Sequence, residues 1–159
     1  MHLLAATSGR ALEGMKAVDL GQSPGDIVIL SAADTELACL STAWHSIKPR
    51  VASVSGSRVG EGAPTLRLAN LMQLAHNLSV DFYVDEIVSR ARLVIVRVIG
   101  GAGYWPYGLE QIAAVARKNT ILLAVVPGDE RPDPDLLAHS TLDEVSVARI
   151  WGYFNHGGG

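Results

Sequence analysis

Short apolar runs alternate along the chain with stretches in which apolar residues recur every three or four positions. Runs of strand length predict β-strands, and the longer periodic stretches predict amphipathic helices. The five predicted strands are Leu3–Thr7, Ile27–Ser31, Thr65–Leu71, Leu93–Ile99 and Ile121–Val126. Helices are predicted at residues 11–20, after Asp34 as N-cap, after Ser79 as cap, around Leu109–Ala116, and at Leu142–Phe154.

The second, fourth and fifth apolar runs are almost continuous rather than alternating. Such strands are buried on both faces, which is typical of a parallel sheet with helices on each side. Repeated strand–helix units then predict a doubly wound α/β fold, since crossovers between parallel strands are right-handed. We expect a mainly parallel five-stranded sheet in the flavodoxin-like order 2-1-3-4-5, with helices on both faces.

The segment between the second and third strands is rich in glycine and proline. Lys48–Thr65 contains three glycines and two prolines, and it is the longest predicted loop. Within it, Val51–Val54 is expected to form a minor strand. A loop of this length inside one domain is usually functional or mobile.

Length and charge narrow the class of protein. The 159 residues suit one domain that buries its own core, and the net charge of −3 argues against nucleic acid as the main partner. The lone Cys39 fits a reducing compartment. Because neither a signal sequence nor a membrane-spanning run is visible, we expect a cytoplasmic protein with no membrane partner. We assign residues 1–156 to a single amino-terminal domain, and the glycines 157–159 to the start of a linker or a truncation point.

The strand Leu93–Ile99 runs into a loop rich in glycine and aromatic residues. Arg97 lies near the carboxyl end of this strand, where an arginine is costly unless it is paired or faces a crevice. The residues of interest that follow are Gly100, Gly101, Tyr104, Trp105 and Tyr107. Tyrosine and tryptophan offer broad, rigid apolar surfaces with a polar tip. We predict that Arg97 and this loop bind a large, flat, partly anionic ligand or dock another domain.

These residues also have purely structural interpretations. Trp105 and Tyr107 would pack beneath the following helix as a local core. Arg97 would be solvated on an edge strand, or would pair with a loop carboxylate.

Three further loops are expected at the same edge, because ligands bind outside the carboxyl ends of parallel strands. Ser8 and Arg10 precede a predicted helix whose free N–H groups attract anions, although any strand-to-helix turn has this appearance. His76 is a candidate to bind a ligand carboxylate or transfer protons, or else a solvated loop residue. The carboxylates of Gly128–Arg131 offer a cation site or simply face solvent.

No catalytic or metal-binding arrangement is visible in the sequence. The five histidines and the single cysteine show no ligand spacing. A phosphate-binding loop, the G-x-G-x-x-G pattern and a nucleophile elbow are all missing. We therefore predict no catalytic residue, no metal site and no bound cofactor for this chain.

Several segments, taken together, closely resemble the large subunit of aerobic cobaltochelatase over essentially the whole chain. They are Met1–Ala5, Val18–Ser31, Leu66–Leu71, Ser79–Val84, Arg97–Gly108 and Pro127–Pro134. Arg97–Gly108 is also similar to the related large subunit of magnesium chelatase, and the other segments favour the cobalt enzyme.

The resemblance implies a part of a much longer subunit in a ligase that forms nitrogen–metal bonds. That bacterial enzyme inserts cobalt into the tetrapyrrole-derived precursor hydrogenobyrinic acid a,c-diamide, in the aerobic route to cobalamin (vitamin B12). Cobalt and ATP are used by the full complex, in which an AAA+ ATPase subunit and a second small subunit supply ATP hydrolysis. The implied partners are these two subunits, the remainder of the large subunit and the corrin precursor. The isolated fragment is expected to be inactive and to serve as a substrate-closing or docking domain.

Two other functions stay open at this point. The chain would serve as a free-standing flavodoxin-like module that binds a nucleotide or flavin through Thr7–Arg10. Alternatively, it would be a pure protein-interaction domain with the aromatic loop as its docking hot spot.

Overall fold

A computed structural model describes residues 19–54, 64–129 and 131–155 of the chain. The strands within these ranges are β1 (Ile27–Ser31), β2 (Leu66–Asn70), β3 (Leu93–Val98) and β4 (Leu122–Pro127). The helices are α1 (Asp34–Val54), α2 (Asn77–Glu86), α3 (Pro106–Asn119), α4 (Pro134–Leu137) and α5 (Glu144–Asn155). Short 3-10 turns cover Leu71–Leu74, Val88–Arg90 and Ala102–Tyr104.

The described strands form one sheet in the order β2-β1-β3-β4, and every neighbouring pair is parallel. The predicted parallel α/β architecture is therefore confirmed, whereas the predicted order 2-1-3-4-5 is not. That order put the strand at residues 65–71 beside the one at 93–99, but β1 lies between them. Counted from β1, the described strands follow 2-1-3-4. The predicted strand Leu3–Thr7 and helix 11–20 lie outside the described residues, except for the end of the helix, where residues 19 and 20 are not helical.

Helices cover both faces of the sheet, as the apolar runs predicted. Side chains of one face, such as Val28 and Val96, pack with α2 and α3 in the larger core. Side chains of the other face, such as Ile29 and Ile95, pack with α1 and α5 in a smaller core. The alternation of neighbouring residues between two cores is the period-2 geometry of a strand covered on both sides.

Two local predictions between β1 and α2 are wrong. The helix α1 continues through Pro49 to Val54, so the predicted loop does not begin at Lys48 and Val51–Val54 is not a strand. Proline removes one helical hydrogen bond, which disfavours a helix interior without forbidding it. The cap of α2 is His76 rather than Ser79, because the His76 imidazole Nδ1 accepts the Leu78 N–H at 3.0 Å. Ser79 is buried within the first turn of that helix.

Among the described residues, the segment Ser140–Leu142 pairs the outer edge of β4 through two side-chain hydroxyls and two backbone N–H groups, which donate to the Leu123 carbonyl. Ser140 Oγ accepts the Val125 N–H at 2.9 Å, and Thr141 Oγ1 accepts the Leu123 N–H at 2.8 Å. Thr141 Oγ1 also donates to the Ile121 carbonyl at 2.7 Å. Buried backbone groups must be paired, and these two hydroxyls pair backbone groups of this edge that a neighbouring strand would otherwise pair.

The other edge of the sheet is held in part by a tyrosine and a glutamine. The Gln22 side-chain amide donates to the Leu68 carbonyl of β2 at 2.8 Å, and the Tyr83 hydroxyl donates to Gln22 Oε1 at 2.7 Å. Burial raises the pKa of Tyr83 above its ordinary value, and the nearby Arg67 opposes that rise. The segment preceding β1 is thereby fixed against β2 and α2.

Replacing both hydroxyl residues at the β4 edge tests whether they stabilise the sheet. The double variant Ser140→Ala/Thr141→Val loses three hydrogen bonds at about 1 kcal/mol each, so we expect the free energy of unfolding to fall by about 2–3 kcal/mol. Urea unfolding followed by circular dichroism measures this change. Thr42→Val, which removes an exposed hydroxyl on α1, is the control and should change stability by less than about 0.5 kcal/mol. Equal effects of the two variants would contradict the assignment.

Candidate ligand or docking surface at the carboxyl ends of the strands

The point between β1 and β3 is where this sheet reverses its strand order. From β1 the chain crosses to β2 on one side, while β3 lies on the other side. In open parallel sheets, the crevice outside the carboxyl ends at such a point is the usual ligand site. Ser31, the last residue of β1, is the register partner of Arg97 in β3. The polar residues at this reversal point are therefore the first candidates for function.

Arg97 is a buried hub that joins three parts of the chain. Its Nη1 lies 3.3 Å from Glu36 Oε2 on α1. Its Nη2 donates to the Gly128 carbonyl at 3.2 Å and to Asn155 Oδ1 at 3.4 Å. The guanidinium also lies 4.8 Å from the centre of the Phe154 ring, a cation–π distance. Because β3 is an interior strand, the solvated-edge interpretation of Arg97 is wrong, and its carboxylate partner comes from a helix rather than a loop.

The contact between Arg97 and Glu36 is a close pairing of charges without an aligned hydrogen bond. Nη1 is fully buried and has no acceptor in hydrogen-bond geometry among the described residues, although Glu36 Oε2 is within ion-pair distance. Glu36 is fixed on its other side, where Oε1 accepts the Ser31 hydroxyl at 2.7 Å. We call Ser31, Glu36 and Arg97 the rim network. The positive charge of Arg97 is already matched by Glu36, so a ligand carboxylate would have to compete with Glu36 for Arg97.

The loop after β3 turns sharply because of two glycines. Gly100 has φ +97° and Gly101 has φ +84°, values that residues with a side chain rarely adopt. The Tyr104 ring packs over Gly100, with Cδ1 only 3.5 Å from where a Cβ would be. Tyr104 is nevertheless 48% exposed. The loop therefore places one aromatic side chain next to Gly100, with about half of its surface open to solvent.

Trp105 lies in the core, as its structural interpretation expected. It is 6% exposed, and its Nε1 donates to the Leu74 carbonyl at 2.9 Å. A Cβ at position 108 would collide with the Trp105 ring, so Gly108 is what allows α3 to pack against it. Trp105 thus anchors the loop after β3 to the turn after β2. Its replacement would open a core cavity, which makes it a poor probe of the surface.

Tyr107 and His76 use polar atoms for local structure. The Tyr107 hydroxyl donates to Asp81 Oδ1 at 2.7 Å, and this hydrogen bond to a carboxylate is the main cause that raises the pKa of Tyr107. His76 Nδ1 caps α2, as described above. Ser8 and Arg10 lie outside the described residues. Whether any of the predicted residues binds a ligand stays a prediction.

Four exposed apolar side chains follow the carboxyl ends of the strands. They are Met72 (60% exposed), Leu78 (45%), Ile99 (48%) and Tyr104 (48%), and we call them the rim patch. Of these four residues only Tyr104 was a predicted site residue, because apolar residues beside a strand or helix are normally assigned to the core. The signal that would have found them is their position immediately after a strand or at the start of a helix.

The described residues offer little for metal chemistry at this surface. Within residues 19–54, 64–129 and 131–155, no three His, Cys, Asp or Glu side chains come together as metal ligands. In the loop after β4, the Asp129 carboxylate accepts the Arg131 N–H at 2.9 Å, and the Asp129 carbonyl accepts the Trp151 Nε1–H at 3.0 Å.

The described residues contain no helix with the length and apolar composition of a membrane span.

Comparisons with known proteins point to one kind of enzyme. No family model matches the chain. The chain is 44% identical over 158 residues to the aerobic cobaltochelatase subunit CobN of Sinorhizobium sp, and 39% identical over 158 residues to that of Pseudomonas aeruginosa. Both matches cover 99% of this chain but only 11% and 12% of the relative, so the chain spans about one ninth of their length. The resemblance to the large subunit of aerobic cobaltochelatase is confirmed over the length of this chain.

A solved structure supports the fold. The catalytic subunit of cobaltochelatase from Mycobacterium tuberculosis matches with a TM-score of 0.56 and 22% identity. The match covers 83% of this chain and 9% of that one. At this level of identity the likeness concerns the α/β architecture.

A double-mutant cycle tests the rim network. Glu36→Gln removes the charge that matches Arg97, so we expect a loss of about 1–3 kcal/mol in the free energy of unfolding. In the Arg97→Met background, Glu36→Gln should lower the free energy of unfolding clearly less, because Glu36 then has no buried cation to pair with. Denaturant unfolding of the four proteins gives the coupling energy. Purely additive losses would contradict the pairing.

The Tyr107–Asp81 hydrogen bond predicts a change in a phenol titration. Asp81→Asn removes the carboxylate, so the pKa of Tyr107 should fall towards 10.0, the ordinary tyrosine value. Because the folded-state pKa is raised, the stabilisation is present below about pH 10 and is lost as the pH rises through the folded-state pKa. Ultraviolet titration, with Tyr107→Phe to identify the signal, measures the shift. An unchanged Tyr107 titration in Asp81→Asn would show that the hydrogen bond is not formed.

Proposed function

We propose that this chain, over residues 1–156, is the amino-terminal α/β domain of the large subunit of an aerobic cobaltochelatase. The observation that carries the proposal is 44% identity over 158 residues to a cobaltochelatase subunit. A second relative with the same name, at 39% identity, supports it.

The complete enzyme would insert cobalt into hydrogenobyrinic acid a,c-diamide on the route to cobalamin, with ATP hydrolysed by an AAA+ subunit and a second small subunit. Metal insertion needs ligands for the entering cobalt and bases for the ring protons. The described residues gather no such ligand group. The contribution that suits this domain is therefore to bind and orient the macrocycle while other parts of the subunit carry out the chemistry.

The rim patch has the properties that such a role requires. A corrin precursor presents a wide ring with amide and carboxylate groups around its edge. Tyr104 offers a rigid face with a polar hydroxyl, and Met72 and Ile99, which follow β2 and β3, offer further exposed apolar surface at this edge of the sheet. We assign the contact with the ring to Tyr104. Arg97 would hold the rim in position, and it would meet a ring carboxylate only if Glu36 moved away.

The exposure of the rim patch also favours a second role, in which the patch binds protein and does not bind the ring. Four apolar side chains that are 45–60% exposed on one edge of a small domain are also typical of a protein interface. In that case the rim patch would contact the remainder of the large subunit and not the ring. The two roles differ in one measurable respect. Only in the ring-binding role does replacing Tyr104 weaken the binding of the precursor itself.

Replacing Tyr104 in the full-length subunit tests the proposal. Tyr104→Ala removes an aromatic contact, so we expect the affinity for the corrin precursor to fall by about fivefold to tenfold, which corresponds to about 1.0–1.4 kcal/mol. Titration followed by the absorbance of the precursor measures this affinity. Tyr153→Ala, at a tyrosine that is 66% exposed on α5, is the matched control and should bind as the parent does.

Unchanged precursor binding in Tyr104→Ala would contradict the assignment of the ring to the rim patch. If binding were unchanged while the domain separated more readily from the rest of the subunit, the docking role would be the correct one. Equal loss of binding in both tyrosine variants would also count against a specific contact by Tyr104, because Tyr153 is next to Phe154 at the end of α5 and is not a member of the rim patch.

A further inference from the structure

The imidazole of His76 has one nitrogen that is engaged in the fold and one that is not. Nδ1 accepts the Leu78 N–H at 3.0 Å and caps α2. A neutral imidazole that accepts at Nδ1 carries its hydrogen on Nε2. Within the described part of the chain, no hydrogen-bond partner meets Nε2. His76 therefore presents an N–H donor, and the capping hydrogen bond restrains the ring that carries it.

The capping hydrogen bond also narrows the chemistry that His76 can perform. A metal ligand or a general base needs a free lone pair on a ring nitrogen. In His76 the Nδ1 lone pair meets the Leu78 N–H, and Nε2 holds the hydrogen. Proton abstraction or metal binding by His76 would therefore require the loss of the cap, whereas donation to an acceptor would not.

His76 and Tyr104 stand at the starts of two helices that are joined by hydrogen bonds. His76 is the N-cap of α2, and Tyr104 directly precedes Trp105, the N-cap of α3. The Trp105 Nε1–H donates to a carbonyl of the 3-10 turn after β2 at 2.9 Å, and the Tyr107 hydroxyl donates to Asp81 Oδ1 on α2 at 2.7 Å. An exposed aromatic ring and an N–H donor are therefore held at neighbouring helix starts.

The donor at His76 supplies what Arg97 cannot supply at this edge. Arg97 is paired with Glu36, and it would meet a ligand carboxylate only if Glu36 moved away. The edge of the proposed ligand carries carboxylates, whose oxygens are strong hydrogen-bond acceptors. His76 Nε2 can meet such an oxygen while the rim network stays intact.

We infer that His76 Nε2 donates a hydrogen bond to a carboxylate at the edge of the macrocycle whose face lies on Tyr104. The inference rests on the proposed function, since it takes the ligand of the rim patch to be the corrin precursor. Contact with the face of the ring alone leaves the ring free to turn in its own plane. A hydrogen bond at the edge selects one rotation, so His76 determines how the macrocycle is oriented.

Two replacements of His76 in the full-length subunit separate the donor from the cap. Asparagine is a good N-cap and keeps an acceptor near the position of Nδ1, but it has no group at the position of Nε2. Glutamine reaches the position of Nε2 with an amide N–H, but it has no acceptor at the position of Nδ1. We expect His76→Asn to lower the affinity for the precursor about tenfold, and His76→Gln to lower it less than about threefold.

Hydrogen exchange at the Leu78 amide measures the cap in the same two proteins. Exchange should be several fold faster in His76→Gln, which loses the acceptor, and unchanged in His76→Asn, which keeps it. The two variants therefore act as controls for each other. A purely structural role of His76 would make precursor affinity follow the cap, and the inference makes it follow the donor.

A methyl ester of the precursor tests the kind of acceptor. Esterification keeps the ring and removes the negative charges of its carboxylates, and a neutral acceptor forms a weaker hydrogen bond. The tenfold effect of His76→Asn on precursor binding should therefore shrink to about twofold or less with the ester. The difference between the two effects is the coupling between His76 and the carboxylate.

Unchanged binding of the precursor by His76→Asn would overturn the inference. Equal losses for the precursor and its ester would overturn it too, because the acceptor would then be neutral. Equal losses in His76→Asn and His76→Gln would assign His76 a structural role only. If Tyr104→Ala weakened binding and His76→Asn did not, the proposed function would stand without this contact, whereas unchanged binding in both variants would contradict both.

Discussion

A buried arginine at the end of an interior strand is the constraint around which this domain is arranged. Arg97 is only 8% exposed, and a buried charge without partners costs several kcal/mol. The fold meets that requirement with groups from α1, from the loop after β4 and from the end of α5. Since these groups are far apart in sequence, satisfying one side chain fixes the positions of three elements at the carboxyl edge of the sheet.

The two glycines after β3 shape the loop that carries Tyr104. Their positive φ angles allow a turn that residues with a side chain rarely adopt, and Trp105 anchors the loop through its hydrogen bond to the Leu74 carbonyl. Tyr104 stands between these two anchors and remains half exposed. A side chain that is held in position before it binds loses less conformational entropy on binding, which is the advantage of a preorganised contact.

The strands and the burial of both sheet faces could be predicted because they depend on local apolar patterns. The order of the strands could not, since it depends on which strands pair, and local patterns do not show that β1 lies between β2 and β3. The partner of Arg97 was equally out of reach, because any of 16 acidic residues in the sequence was a candidate. Only the folded chain brings Glu36 to it. The burial of Trp105 was one of two open interpretations, and the absence of a side chain at Gly108 is the physical reason for it.

A structure of the full-length subunit with the corrin precursor bound would test this view of the domain most directly, by the distance between the Tyr104 ring and the macrocycle. We predict that the two lie in van der Waals contact and that Arg97 still pairs with Glu36. A macrocycle bound elsewhere, with Tyr104 left in solvent, would contradict the assignment of the rim.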